Sequence, residues 1–400
     1  MLKIEDFTNA QTRIKDALLE TSLIYSPWFS KECENEIYIK PENLQRTGSF
    51  KIRGAYNKIA KLSDDKKAKG LIASSAGNHA QGVAYAANHI GVKSVICMPA
   101  HTPLIKVEST RGYGAEVVLH GEVYDDAFKR ACELEQQHGY TFIHPFNDED
   151  VIEGQGTIAL EVLAELPDAD IILVPIGGGG LISGIACAAK QLNPNIKVIG
   201  VEPEGAASAS AALKANRVVC LDSANTIADG TAVKEIGQET FTYIKKYVDE
   251  IMTVSDYELM EAFLLLVEKH KLVAENSGIL SLAATRKLQV KNKKIVCIVS
   301  GGNIDVMSIS SLIQKGLISR GRIFTFSLSV ANKPGQLKLI TDIIGRTNAN
   351  IISLEHNTYR NLNDFNEVDV TITVETNGEQ HIRTIFEAFE KEDICITRMR

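Results

Sequence analysis

Two periods alternate along the first three quarters of the chain. Short and nearly unbroken apolar runs occur at 70–73, 95–98, 116–119, 171–176, 198–201 and 296–299. They read as strands. Longer stretches between them, 181–192 among them, carry apolar residues at helical spacing. Strand alternating with helix predicts parallel sheets covered by helices, an α/β fold. From about Arg322 the pattern changes. Phe324-Thr325-Phe326-Ser327-Leu328-Ser329-Val330 alternates strictly, and a turn follows at Asn332-Lys333-Pro334-Gly335. Leu337, Ile340, Ile343 and Ile344 then fall at helical spacing. Strands are expected at 350–359, 367–376 and 394–399, with a helix at 380–390. This is the order of a ferredoxin-like sandwich.

Candidate chemistry sits at the ends of these runs. Ser49-Phe50-Lys51-Ile52-Arg53-Gly54 sets one lysine between an aromatic ring and a glycine. Lysine forms a Schiff base with pyridoxal phosphate where burial or a cationic neighbour keeps part of its amine neutral, and Arg53 is such a neighbour two residues on. A lysine beside phenylalanine is also an ordinary snorkelling surface residue. Gly177-Gly178-Gly179-Gly180-Leu181 follows the 171–176 strand and opens the 181–192 helix. Successive backbone N–H groups there can converge on a phosphate at the positive end of a helix dipole, although a flexible loop has the same composition. A dinucleotide fingerprint needs glycines at the first, third and sixth positions. From Gly177 the sixth residue is Ile182, and from Gly178 it is Ser183, so that reading fails. Ser75-Ala76-Gly77-Asn78-His79 follows another strand. Ser75 is expected to cap a helix whose first amides, with the His79 side chain, face an anion such as a substrate carboxylate. At 296–303 a strand ends in Ser300-Gly301-Gly302-Asn303, where a hydroxyl points into the crevice.

Taken together, SFKIRGA around Lys51, SAGNHAQG around Asn78, GGGGL from Gly177, TIADG ending at Gly230 and SGGN from Ser300 make the first 310 or so residues resemble the fold-type II pyridoxal-phosphate enzymes. Within that group the chain is similar to the threonine dehydratases. The resemblance implies a two-lobed body like the tryptophan synthase β chain at 1–310, with a smaller mobile lobe at about 45–145 inserted in the larger. It implies pyridoxal 5'-phosphate bonded to Lys51 and packed beside Phe50. The ring hydroxyl would bond to Asn78, the phosphate to the backbone of Gly177, Gly178, Gly179, Gly180 and Leu181, and the ring nitrogen would face Ser300. Ser75, Gly77, Asn78 and His79 would hold the substrate carboxylate. Lys51 would act as general base, and the freed enamine would hydrolyse, turning L-threonine into 2-oxobutanoate and ammonia and L-serine into pyruvate. Serine racemases of this group carry a second base, a serine, where this chain has Ala76. Racemisation is the alternative enzyme reading, and a mainly regulatory amino-acid-binding protein is the non-enzymatic one. Some relatives bind a cation at positions that look like Glu202, Ala206 and Ser208 here. Ser208 stands in place of a second acid, so a monovalent ion or none is expected.

The tail at 322–400, after a linker at 311–321, resembles an ACT domain. Such domains commonly bind an amino acid at the turn after their first strand, here Lys333 through Leu337; the alternative is a tail that only mediates assembly. Composition narrows the partners. At 400 residues two to three domains are expected from about 150 residues each. A formal charge of −7 with no lysine-arginine tract argues against nucleic acid. The 7 cysteines show no CxxC or His/Cys cluster and read as reduced thiols of a cytoplasmic protein. The acids at Glu5 and Asp6 break any apolar signal-peptide core, and no apolar run approaches the ~18 residues of a membrane span. The expected assembly is a homo-oligomer, a dimer or tetramer, that takes an amino-acid substrate and an amino-acid effector.

Overall fold

The apolar runs become the strands of a computed structural model that describes residues 1–357 and 366–399. In chain order the strands are β1 (Ile24–Tyr25), β2 (Glu36–Pro41), β3 (Leu71–Ser74), β4 (Ser94–Met98), β5 (Glu116–Leu119), β6 (Thr141–Phe142) and β7 (Ile171–Pro175). They continue as β8 (Lys197–Pro203), β9 (Glu250–Val254), β10 (Lys294–Val299), β11 (Ile323–Ala331), β12 (Asn350–Asn357), β13 (Glu367–Glu375) and β14 (Thr397–Arg398). The chain divides into two compact units, Met1–Ile304 and a second that starts at Asp305.

The first unit holds two sheets. The larger has the order β1-β2-β10-β7-β8-β9 and the smaller the order β5-β4-β3-β6. Every pairing in both is parallel except the hairpin-like β1–β2 edge. β3, β4 and β7 are buried along their whole length, as their uninterrupted apolar text requires. The larger sheet packs Ile172, Val174, Val198, Val296 and Ile298 against Ile152, Ile158 and Val162 of the Glu149–Glu165 helix and Ile182 and Ile185 of the Gly180–Leu192 helix. Around the smaller sheet, Leu71, Ala73, Ile96 and Met98 pack with Val83 and Ala84 of the Asn78–Ile90 helix. Ile72, Val95 and Cys97 on its other face meet Ala127, Ala131 and Leu134 of the Tyr124–His138 helix.

The second unit begins with a helix, Val306–Ser319, whose first amides are capped by Asp305 Oδ1. The stretch read from sequence as a linker is therefore mostly helical. Ile309, Leu312, Ile313 and Gly316 give it an apolar stripe, and Leu312 and Gly316 are buried. Beyond it β11, β12, β13 and β14 form an antiparallel sheet in the order β12-β13-β11-β14. Numbered within the unit the order is 2-3-1-4, which is the ferredoxin-like arrangement that the β-α-β-β-α-β text predicts. Phe324, Phe326, Leu328 and Val330 of β11 form a core with Ile340, Ile343 and Ile344 of one helix and Ile382, Ile385 and Phe389 of the other. The predicted strand at 350–359 is observed to Asn357; its last two positions lie outside the described residues. The final strand is shorter than expected, because 389–394 turns back on itself through the Glu392, Asp393 and Ile394 amides.

Candidate active site

The loops at the carboxyl ends of β3, β7 and β10 lie in the first unit and carry the candidate residues. The chain entering Lys51 is stitched to the end of β10. Ser49 bridges Gly301, Phe50 N–H donates to the Ser300 carbonyl (3.0 Å), and Gly302 N–H donates to the Gly48 carbonyl (2.8 Å). These backbone bonds bring Lys51 and Ser300 together although they are far apart in sequence. Lys51 is the first residue of the Lys51–Lys61 helix. Its Nζ donates to the Pro145 carbonyl at 3.0 Å and lies 5.3 Å from the centroid of the Phe50 ring. Burial pulls its pKa down to about 8, against the opposing pull of the Glu275 carboxylate.

Arg53 does not supply the cationic neighbour expected of it. It is fully buried, with Nε 2.7 Å from Glu42 Oε2 and Nη1 2.6 Å from Glu161 Oε1, and Nη1 also donates to Thr157 Oγ1 (3.1 Å). Lys40 shares Glu161 at 2.7 Å. Two carboxylates thus neutralise Arg53 within a buried structural network, and desolvation alone depresses the Lys51 amine.

The helix after β3 starts later than expected. Its N-cap is Gly77 rather than Ser75, whose Oγ instead accepts from the Gly77 N–H at 3.2 Å. His79 also departs from expectation. The ring is buried, and its Nε2–H donates to the Ile143 carbonyl at 2.8 Å. Burial, and then the charge on Lys51, push its pKa down to about 3. A neutral imidazole fixed on a carbonyl does not present a cation to a carboxylate. What remains for an anion is the first turn of the Asn78–Ile90 helix, where the leading amides have no intrahelical acceptor. Asn78 is held at both ends: its Nδ2 donates to Glu275 Oε1 (2.7 Å) and its Oδ1 accepts from Asn303 Nδ2 (2.7 Å).

The glycine turn is packed rather than flexible. A Cβ on Gly178 would lie 2.3 Å from the Phe146 ring, one on Gly180 would lie 3.0 Å from Phe146 Cα, and one on Gly177 would lie 3.1 Å from Thr231 Cα. Gly179 sits at φ 93°, the left-handed region open to glycine, and is the N-cap of the Gly180–Leu192 helix. Thr240 Oγ1 donates to the Gly178 carbonyl at 2.8 Å, which ties the turn to its surroundings. The first amides of a thirteen-residue helix therefore lie bare at the end of β7, an anion cradle with no side chain on its floor.

Sequence reading missed several participants. Glu275, Pro145 and His144 sit in stretches without a strong pattern, and Asn303 was visible only as the last letter of a motif. The sole signal for Glu275 is an acid before Asn276-Ser277-Gly278, a turn-forming string. His144 has its pKa lowered to about 4 by burial and then by Lys51, and its Nδ1 accepts from the Asn147 N–H (2.9 Å). Glu202, expected among the cation-site positions, is occupied within its own chain. It is buried, and it caps the Ser208–Ala215 helix by accepting from Ala209 N–H (2.7 Å), Ser210 N–H (2.9 Å) and Ser210 Oγ (2.7 Å). Ala206 lies in the adjoining turn Glu204–Ala206, the Ser208 hydroxyl is buried without a partner among the described residues, and no group of three or more His, Cys, Asp or Glu side chains that could hold a metal ion occurs among those residues.

The model of the family described as "Pyridoxal-phosphate dependent enzyme" matches residues 14–301. The chain belongs to this family. It is 45% identical over 386 residues to an L-threonine ammonia-lyase of Thermotoga maritima, covering 96% of each chain. Among solved structures it is similar to the processed form of threonine deaminase isoform 2 from Solanum lycopersicum, with TM-score 0.75, 37% identity and 78% of this chain and 92% of the other covered. Maize serine racemase superimposes with TM-score 0.75 at 35% identity, over 80% of this chain and 99% of the other. The residues present fit the cofactor that gives the family its name: a bare helix N-terminus for its phosphate, a desolvated lysine for its aldehyde, and a buried serine at the end of β10.

Proposed function

We propose that this protein dehydrates and deaminates L-threonine to 2-oxobutanoate and ammonia, and L-serine to pyruvate and ammonia, the water lost in the elimination being regained in the hydrolysis. The observation that carries this reading is the Lys51 amine, brought down to about 8 and stitched beside Ser300 by the Ser49–Gly301 bridge. When bound, pyridoxal phosphate supplies the electron sink for the pair left at the substrate α carbon. Gly177 through Leu181 hold its phosphate, and Phe50 packs against its ring. Lys51 Nζ, the amine that would hold the cofactor, would take the α proton as general base. A desolvated amine is suited to this, since roughly a tenth of it is neutral at pH 7, against well under a thousandth of an ordinary lysine. The first amides of the Asn78–Ile90 helix, with Ser75, fix the substrate carboxylate and so aim the α C–H at Lys51. Loss of the β hydroxyl leaves an enamine, which tautomerises and hydrolyses to the 2-oxo acid and ammonia. Ala76 has no proton to deliver to the opposite face, so elimination is favoured over racemisation despite the likeness to a racemase.

Residues from about 45 to 145 form the smaller lobe in this reading, and its closure keeps water from the reacting atoms. The second unit acts as an ACT-like effector domain of a cytoplasmic homo-oligomer. Its strand order supports this, as does a groove of about 800 Å³ where Gln336 from the expected turn meets Ser329, Asp369 and Thr371. Asp369 suits the ammonium group of an amino acid. The deciding experiment follows the cofactor absorbance and 2-oxobutanoate release on adding L-threonine, with Lys51→Ala as control. Oxo acid from the wild type and none from the variant is expected. A yellow protein that releases no oxo acid would overturn the dehydratase reading.

A further inference from the structure

A second ionisable group shares the Lys51 pocket. Glu275 enters the site just before the turn Asn276–Ile279, and its backbone fixes it there: its N–H donates to the Gly301 carbonyl (3.0 Å) and its carbonyl accepts from Gly278 N–H (2.8 Å). One glycine makes room for the side chain and a second touches it. A Cβ on Gly301 would lie 2.4 Å from Oε1, and one on Gly230 would lie 3.6 Å from it. Gly301 and Gly230 both belong to motifs singled out in the sequence; Gly301 leaves the room that this carboxyl group fills, while Gly230 chiefly accommodates Ser277 and only touches the carboxyl group.

Oε1 accepts from Asn78 Nδ2 at 2.7 Å. Asn78 is clamped in turn by Asn303, whose Nδ2 donates to Asn78 Oδ1 (2.7 Å) and to the Thr47 carbonyl (2.7 Å). With one N–H given to Glu275 and the oxygen taken by Asn303, the remaining N–H of Asn78 has a fixed direction and is left for a further acceptor. The charged groups acting on Glu275 are Lys51 from the Lys51–Lys61 helix, Lys106 from the Leu104–Gly112 helix and Asp229 from the Asp229–Thr231 turn. Burial raises its pKa to about 7 against Asn78, Lys106 and Lys51, and Glu275 is the group that opposes burial at Lys51. An acid buried on a neutral amide is unfavourable unless it serves a purpose, and here it lies in the field of the working amine.

We propose that Glu275 is a positioning residue for this reaction: it aims the Asn78 amide at the cofactor and places an ionisable carboxyl group beside Lys51. The proposal rests on the dehydratase reading. It separates into two parts that different substitutions remove. Glu275→Gln keeps an oxygen for Asn78 and loses the charge, whereas Glu275→Asp keeps the charge and draws back from Asn78 by one methylene.

The test compares both variants with the wild-type holoenzyme in the absorbance of the bound cofactor and in kcat and KM for L-threonine against pH. Loss of the anion lowers the pKa of a nearby cationic acid, so Glu275→Gln is expected to move the acid limb of kcat/KM to lower pH by about 1 unit, with the wild-type absorbance band. Glu275→Asp is expected to keep the wild-type limb, to alter the cofactor band, and to lower kcat roughly tenfold with KM little changed. Wild-type limb and band in both variants would overturn the proposal, as would losses that only track the fraction of folded protein. Should Glu275→Asp fail to fold, the limb of Glu275→Gln decides. A wild-type protein that makes no 2-oxobutanoate would instead strike the proposed function itself.

Discussion

His79 and His144 show how strongly the pocket shapes single residues. Both imidazoles are desolvated and lie in the field of Lys51, which brings them to about 3 and about 4. In the unfolded chain each would titrate near 6.5. Between those values the unfolded state binds more protons than the folded one, so stability must fall as pH drops from neutrality towards 4. Each histidine is expected to cost roughly 2 kcal/mol between pH 7 and pH 5. Denaturant midpoints measured across that range should fall steadily, and His79→Gln, which can still donate to the Ile143 carbonyl, should flatten the slope. An unchanged slope in that variant would show that His79 is not the residue responsible. At this scale the sequence was a fair guide to residue type and a poor guide to role. Lys51 stood out because a lysine between an aromatic ring and a glycine is unusual text. Arg53 and His79 misled because a side chain's charge state depends on Glu42, Glu161 and Ile143, which approach from elements more than ten and up to about a hundred positions away.

Elements were more legible than roles. Strands announced themselves as short apolar runs: β5 has the bounds expected of it, Glu116–Leu119, although at the sheet edge none of its residues is buried, unlike β3, β4 and β7. The start of the Asn78–Ile90 helix was placed too early, because Ser75 offers a capping hydroxyl but is spent on the Gly77 amide inside the loop. Glu275 was illegible for a related reason: only the folded backbone reveals that an acid in a turn string lies against Gly301 and Gly230. The glycine turn carries the prediction proper to this scale. Its tightness comes from Phe146, so Gly178→Ala is expected to destabilise the holoprotein by about 1–3 kcal/mol through overpacking and to weaken cofactor retention. Phe146→Ala added to it should recover much of that loss, because it removes the ring that the new methyl meets. A double-mutant cycle read by thermal unfolding and by dialysis of the cofactor checks this. Additive losses would mean that the turn is constrained by Thr231 and Thr240 rather than by Phe146.

At the scale of the whole molecule, the change of text near Arg322 marked a second fold, while the boundary itself was less visible. The Asp305-capped helix belongs to the second unit, since an amphipathic stripe needs a surface to cover and a linker would not need one. This matters for how regulation is tested. A cut within 311–321 would sever that helix and leave half of its apolar stripe in water, so a chain ending at Ile304 is the cleaner comparison. An effector can change activity only through a difference in its affinity for the enzyme's states, and that difference needs a binding site. The groove along β11 and β13 offers polar groups of both kinds that an amino acid requires, Asp369 for the ammonium and the Gln336 amide for the carboxylate. L-isoleucine or L-valine is therefore expected to shift the threonine saturation curve of the full chain and to leave the chain ending at Ile304 unaffected. Asp369→Asn in the full chain should weaken the effector at least roughly tenfold, since it removes the charged partner of an ammonium group while leaving the fold's apolar core untouched. Effector shifts of equal size in the full and shortened chains would place the effector in the catalytic body and leave the second unit as a module of assembly.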